Sequence, residues 1–209
     1  MTGDAVQERF APDAPFRFVG GDAGLDFVNT ADWTPRGLER DRFTGYDRLL
    51  EWGRGSGLLG PAEVRQLKEV MLRHPRRAAA VLEEAHAVRD VLRGVFVSLV
   101  DGRHNALALE RLNRLLADAA THLRVVRDGK GRLVRGWADH GQSPESVLRP
   151  VVMAAAELVS SADVEKLRIC AGSDCGWMYV DRSRNGLRRW CEMSVCGTAE
   201  KNRRRSAKP

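Results

Sequence analysis

The feature that most constrains this chain of 209 residues is the position of its cysteines. All four lie within the last forty residues, as Cys170, Cys175, Cys191 and Cys196, in the pattern C-x4-C-x15-C-x4-C. Zn²⁺ is bound by four thiolates at about 2.3 Å, and closely spaced pairs of cysteines supply them within a short segment. The spacing therefore predicts one tetrahedral zinc site.

Two other interpretations of the cysteines are scattered buried thiols and a pair of disulfides. The clustering argues against scattered thiols. Disulfides need an oxidising compartment, and residues 1–9 lack the basic and apolar regions of a secretory signal, so we expect a cytoplasmic protein. Four thiolates also close the coordination sphere, which favours a structural metal over a catalytic one. A segment this short needs its metal to fold.

The residues between the cysteines predict the local structure of this segment. Trp177–Val180 and Leu187–Trp190 have strand composition, and Asn185-Gly186 between them suits a type I′ hairpin turn. Ser194 is a candidate N-cap for a helix from Val195 to about Arg205, with Cys196 in its first turn. A knuckle, a hairpin and a helix form a treble-clef arrangement. Its expected apolar core consists of Trp177, Tyr179, Trp190 and Met193.

Two motifs carry a resemblance to a known family. The run Cys170-x4-Cys175-x-Trp177-x-Tyr179-x-Asp181-x-Ser183, followed by Arg189-Trp190-Cys191-x-Met193-x2-Cys196-Gly197, resembles the CGNR zinc finger. Near the N-terminus, Gly24-Leu25-Asp26-Phe27-Val28-Asn29-Thr30 is similar to the opening of the ABATE domain, which precedes that finger. The tetrapeptide that names the finger reads Cys-Gly-Thr-Ala here. The resemblance implies a bacterial transcription regulator.

The charge of the chain is concentrated in its last 42 residues. Residues 168–209 carry ten basic and four acidic side chains, whereas residues 1–167 carry 24 of each. A zinc ion with four thiolates contributes −2, which leaves about +4 on a small module and favours binding to a phosphate backbone. The alternative is a solvated basic tail.

The spacing of these side chains suggests their roles in nucleic-acid binding. On the predicted helix, Asn202 and Arg205 share a face with Lys201 and are assigned any base-edge contacts, which makes DNA the expected partner. Phosphate contacts are assigned to Arg184, Arg188, Lys201, Arg203 and Arg204. One finger reads few bases, so a homodimer or a partner protein is expected to complete the recognition.

The first three quarters of the chain predict an α+β domain in which helices dominate. Three domains are expected: a disordered tail (1–15), a mainly helical domain with its own core (16–167) and the finger (168–209). Helical periodicity occurs near 44–58, 62–73, 76–101 and 105–119, and again from Ser143. Short strands are expected at Phe16–Val19, Leu25–Val28, Leu123–Val126, Arg132–Val134 and Leu167–Ile169. No apolar run is long enough to span a membrane.

Four polar residues of this domain are candidates for ligand binding. Asp26 and Asn29 lie in an apolar stretch, and Arg89 and Arg93 are one turn apart on the longest predicted helix. Together they could line a site for a small anionic effector, because a pair of arginines grips a carboxylate or phosphate. The alternative is that these groups satisfy one another as part of the fold.

The sequence leaves three functions open. The first is a DNA-binding regulator that senses a ligand or dimerises through its N-terminal domain. The second is an RNA-binding or ribosome-associated zinc module. The third is an enzyme, although the chain carries no phosphate loop, nucleophile elbow or metalloprotease motif, so we expect no catalytic activity.

Overall fold

A computed structural model describes residues 14–139 and 141–207. The tail predicted for 1–15 lies almost entirely outside the described residues. The helices are α1 (Ala23–Val28), α2 (Tyr46–Gly55), α3 (Pro61–Arg73), α4 (Pro75–Val100), α5 (Ala106–Thr121), α6 (Leu148–Val159) and α7 (Thr198–Ser206). The strands are β1 (Ala31–Thr34), β2 (Gly37–Asp41), β3 (Leu123–Arg127), β4 (Leu133–Trp137), β5 (Leu167–Ile169) and β6 (Met178–Val180). The predicted class, mainly helical with small sheets, is confirmed.

The long helix α4 organises the core. Its apolar stripe at helical spacing is buried along its length, and α1, α2, α5 and α6 pack around it. The helix begins at Pro75, in the first-turn position where the missing N–H of proline is harmless. Aromatic rings fill the space beside it, with Phe27 5.0 Å from Trp52 and 5.4 Å from Phe43 between ring centroids.

The segment that carries the N-terminal motif is a helix, so the strand pair predicted for Phe16–Val19 and Leu25–Val28 is wrong. The Oδ1 atom of Asp22 accepts the backbone N–H of Gly24 at 2.8 Å and thereby caps α1. Residues 24–28 are all buried, because α1 is enclosed by other elements and has no solvent-facing stripe to reveal its period. A side chain at Gly24 would meet Cβ of Ala155 at 2.9 Å, so glycine allows α1 to approach α6.

The described residues form three sheets, each of two antiparallel strands. The β3–β4 hairpin was predicted, whereas β1–β2 was not. The predicted strand at Leu167–Ile169 forms as β5 and pairs with β6 of the finger. Leu167, Met178 and Val180 of this sheet belong to the same buried core as α1 and α4. The core of the N-terminal domain therefore continues into the finger.

Among the described residues, no helix is both long enough and apolar enough to cross a membrane.

Candidate metal centre and nucleic-acid interface

The four cysteines converge at one buried point. Their Sγ atoms all lie within 4.8 Å of one another. Cys175 and Cys191 are 3.7 Å apart between sulfurs, and Cys191 and Cys196 are 3.6 Å apart. Four sulfurs placed tetrahedrally at about 2.3 Å from a zinc ion are separated by about 3.8 Å, so the spacing fits that ion. The predicted zinc ligands, Cys170, Cys175, Cys191 and Cys196, thus form a site for one structural Zn²⁺.

Backbone N–H groups favour the thiolate form of one of the four cysteines. The N–H groups of Gly172 and Cys191 point to the Cys170 sulfur, at 3.5 and 3.3 Å. Hydrogen bonds from the other thiols, that of Cys175 first, hold the pKa of the Cys170 thiol far below its ordinary value. Hydrogen bonding to Cys170 raises the pKa of the thiols of Cys191 and Cys196. Four thiolates this close therefore need a cation, and metal binding releases protons.

Two short pieces of chain carry the ligand pairs. The first is the knuckle between β5 and β6, where the N–H of Cys175 donates to the carbonyl of Gly172 at 3.1 Å. The second is a π-helical turn, Met193–Gly197, in which the N–H of Cys196 donates to the carbonyl of Glu192 at 3.0 Å. The α-helix begins only at Thr198, so the prediction of Ser194 as its N-cap is wrong. Cys196 lies before the helix rather than in its first turn.

The hairpin predicted between the ligand pairs is also wrong. Residues 181–190 form a loop, and Asn185 does not have the positive φ that a type I′ turn requires, although Gly186 has φ 63°. Asp181 holds the loop in place, since its carboxylate accepts the N–H and hydroxyl of Ser183 and the N–H of Arg188. Met193, expected in the apolar core, is 61% exposed, whereas Trp177 and Tyr179 are buried and Trp190 is half-buried.

The finger is docked on the N-terminal motif by buried polar contacts. The side chain of Asn29 donates to the carbonyl of Met178 and accepts its N–H, both at 2.8 Å. The indole N–H of Trp177 donates to the carbonyl of Ala31 at 2.9 Å. The N–H of Gly176 donates to the carbonyl of Trp33, and a side chain at Gly176 would clash with that residue. These contacts explain why residues 149 positions apart are held together.

The four candidate ligand residues are engaged in contacts within the fold. Arg89 binds the hydroxyl of Thr30 at 3.1 Å and the carboxylate of Asp41. Arg93 donates to the carbonyl of Gly176 at 3.1 Å, and its guanidinium lies 4.1 Å from the ring centroid of Trp33. Asp26 accepts the N–H of Gly20, and Asn29 binds Met178. The two arginines thus face different partners, as the structural alternative requires.

Asp26 gives the fold a pH dependence. Burial raises the pKa of its carboxyl from 3.8 to about 7. Between about pH 4 and 7 the unfolded chain loses this proton while the folded chain keeps it, so the free energy of unfolding falls as pH rises through this range.

We expect Asp26→Asn to remove that fall and to stabilise the protein by roughly 1–3 kcal/mol at pH 8. Urea unfolding of both proteins at pH 5 and pH 8 measures the difference. An equal difference at both pH values would contradict it.

The predicted nucleic-acid residues divide into two groups. Lys201, Arg203, Arg204 and Arg205 are exposed on α7, Asn202 is half-buried there, and Arg184 is exposed in the loop. Arg188 is different, because its guanidinium binds the carbonyls of Val19, Trp190 and Cys191 and lies 4.1 Å from the ring centroid of Tyr179. Arg188 thereby fastens the loop to the N-terminal segment and to the metal knuckle, and its contact with phosphate stays a prediction.

Comparison with known families identifies both parts of the chain. The ABATE family, described as "putative stress-induced transcription regulator", matches residues 21–162. The chain belongs to the ABATE family. The CGNR zinc finger matches residues 166–208, directly after the ABATE domain. The resemblance seen in the two sequence motifs is therefore confirmed, in the same order. A search of curated proteins finds no match to this chain.

In this ABATE protein, the motif at residues 24–30 and the finger are one structural unit. The motif supplies Asn29 and Thr30, which bind β6 and α4 respectively. The contribution of Trp33 and Arg42 was not predicted from the sequence, although both residues lie close to the motif. Arg42 is buried, pairs with Asp32 at 3.0 Å and lies 5.2 Å from the ring centroid of Trp177. The ABATE domain thus provides the platform on which the CGNR finger is held.

Proposed function

We propose that this protein is a DNA-binding regulator without catalytic activity, in which the CGNR finger contacts DNA and the ABATE domain carries the finger. The observation that supports the proposal most is the concentration of positive charge on one exposed element. Lys201, Arg203, Arg204 and Arg205 all lie on the solvent-exposed helix α7, next to the metal centre. A cluster of exposed cations of this kind attracts the phosphates of DNA and releases their counterions.

The charge of α7 is only partly compensated by the finger itself. Glu200 pairs with Arg203 at 3.2 Å and with Arg204 at 3.1 Å, while the side chains of both arginines remain about half exposed or more. Exposed pairs of this kind are weak and exchange readily for a phosphate. The carboxylate therefore orders the two guanidinium groups without neutralising the surface.

The regulatory part of the proposal concerns how the ABATE domain acts on the finger. A single helix of nine residues reads few bases, so we propose that specific recognition uses a homodimer. A small anionic effector would act through the contacts between α1 and β6, because a ligand that moves α1 also moves Met178. Such an effector and DNA must change each other's affinity by the same factor.

Neutralising the charge of α7 tests the proposal. We expect the combined variant Arg203→Gln, Arg204→Gln, Arg205→Gln to weaken binding to duplex DNA by roughly 10-fold to 100-fold, about equally on all sequences. The slope of log affinity against log salt should flatten by up to about three units, since up to three phosphate contacts are lost. Fluorescence anisotropy over a range of salt concentrations measures both quantities.

The control is an equal loss of charge on the ABATE domain. Arg65, Arg73 and Arg76 are exposed on α3 and α4, so their replacement by glutamine should leave binding within about twofold of wild type. Equal losses in the two triple variants would reject the finger as the binding surface. Tighter binding of RNA than of DNA of the same sequence would favour the RNA-binding alternative.

A further inference from the structure

A cavity of about 310 Å³ lies on the finger between Trp190 and one face of α7. Its lining residues are Trp190, Gly197, Glu200, Lys201, Arg204 and Arg205. The volume is at the lower end of the range of about 300–1,000 Å³ that is usual for small-molecule sites. The cavity combines an aromatic wall with three cationic side chains.

The metal centre fixes the two walls of this cavity. Trp190 immediately precedes the ligand Cys191, and Gly197 immediately follows the ligand Cys196. The sulfurs of these two cysteines are 3.6 Å apart. Because Trp190 and Gly197 are each next to a zinc ligand, the coordination sphere holds the backbone on both sides of the cavity. The backbone of this part of the cavity is therefore preorganised to receive a ligand.

The cations of the cavity are arranged along one side of α7. Arg204 and Arg205 follow Lys201 by three and four residues, which places the three side chains on one side of the helix. Glu200 is largely buried and accepts Arg204 Nε at 3.1 Å, which orients that guanidinium. The indole of Trp190 also lines the cavity, and its ring centroid lies 5.4 Å from the guanidinium carbon of Arg189. Phosphate oxygens and an aromatic base are the ligand groups that suit such a site.

We propose that this cavity binds one unpaired nucleotide, with its base against Trp190 and its phosphate against Arg204, Arg205 and Lys201. The inference rests on the proposed binding of nucleic acid by the finger and names the form of nucleic acid that fits. In a duplex both faces of a base are stacked, so only an unpaired or extruded base can pack against an indole. The finger therefore prefers DNA that contains a single-stranded or distorted position.

The residue that distinguishes this site from a general basic surface is Trp190, because it carries no charge. Stacking of one base on an aromatic side chain contributes about 1–3 kcal/mol. We expect Trp190→Ala to weaken binding of a ten-nucleotide oligothymidine by about 5-fold to 100-fold, without changing the salt slope. Binding of a fully paired linear duplex should change by less than about twofold. Trp190→Phe keeps an aromatic face and should recover most of the affinity.

The measurement uses the zinc-loaded full chain and dye-labelled oligonucleotides in fluorescence anisotropy. Zinc content and the thermal midpoint of Trp190→Ala are determined in parallel, and Trp190→Phe separates loss of stacking from loss of folding. Arg203→Gln, an exposed position of α7 outside the cavity lining, is the charge control, and it should flatten the salt slope by about one unit while leaving the ratio of single-strand to duplex affinity unchanged. A third series with thymidine monophosphate distinguishes a free nucleotide from a strand as the source of the ligand.

Each outcome decides the inference. Loss of oligothymidine binding in Trp190→Ala, with recovery in Trp190→Phe, supports a strand as the source. The same pattern with thymidine monophosphate supports a free nucleotide in the same cavity. Equal binding of all three ligands by wild type and Trp190→Ala overturns the inference, even if the triple arginine variant still shows that the finger binds DNA. Absence of all binding by wild type rejects the proposed function as well.

Discussion

Replacing Cys191 by serine is expected to remove zinc from the protein and to unfold the finger. Cys191 is fully buried, and its sulfur lies within 3.7 Å of those of Cys175 and Cys196. A structural zinc site contributes about 10–16 kcal/mol of apparent binding free energy at pH 7, which is comparable with the whole stability of a domain. Elemental analysis should fall from one zinc per chain to nearly none.

The loss should extend beyond the finger. Leu167, Met178 and Val180 belong to the core of the ABATE domain, and their removal from it exposes apolar surface on α1 and α4. We therefore expect the thermal midpoint of the remaining domain to fall by at least about 10 °C. From the sequence, residues 16–167 were expected to have their own core and to stay folded after loss of zinc. Because the core is shared with the finger, we expect the domain to be destabilised instead.

Ser173→Ala is the matched control for the cysteine variant. Ser173 lies on the exposed side of the same knuckle, where its hydroxyl binds the neighbouring Asp174. This variant should keep one zinc and the wild-type thermal midpoint. A Cys191→Ser protein that retained one zinc per chain, or an ordered finger after complete chelation, would show that the metal does not hold this segment together.

Asn29→Ala is expected to lower the free energy of unfolding by about 2–5 kcal/mol. The side chain is buried and satisfies both backbone groups of Met178, each at 2.8 Å. Alanine leaves a buried N–H and a buried carbonyl without these partners, and each unpaired group costs about 1–3 kcal/mol. Urea unfolding measures the change, and hydrogen exchange should show the greatest loss of protection in β6.

Asn113→Ala on the exposed surface of α5 is the control for this substitution, and it should change stability by less than about 0.5 kcal/mol. Asn29→Asp adds a more specific test, because the carboxylate retains an acceptor for the N–H of Met178 but has no donor for its carbonyl. If Asn29→Ala unfolded at the wild-type urea concentration, the contact would be incidental to docking.

The metal centre could be predicted from the sequence because its four ligands lie close together along the chain. Four thiols in two close pairs specify one ion regardless of the path of the chain between them. The long amphipathic helices were predicted for a similar reason, since their apolar residues recur along the sequence at the spacing of a helical turn. In contrast, α1 is buried on every side, so its residues show no helical period, and only the capping geometry of Asp22 reveals the helix.

The remaining errors have a common physical cause, which is contact between distant parts of the chain. Residues 187–190 have strand composition, but β6 pairs with β5 and the loop is held by Asp181 instead. The structural contacts of Arg188 could not be predicted for the same reason, because they are made with backbone carbonyls of residues 19 and 191. Contacts across 169 residues are not visible in local spacing.

The pairing of Asn29 with Met178 has a consequence for synthesis on the ribosome. The N-terminal motif is translated early, whereas its buried partner Met178 follows Asn29 by 149 residues. Since a chain grows at about 5–20 residues per second, residues 20–34 remain uncovered for at least several seconds before β6 is made. Docking of β6, followed by capture of zinc, is therefore the step that closes the fold, and a nascent chain stalled before Met178 presents an uncovered apolar face.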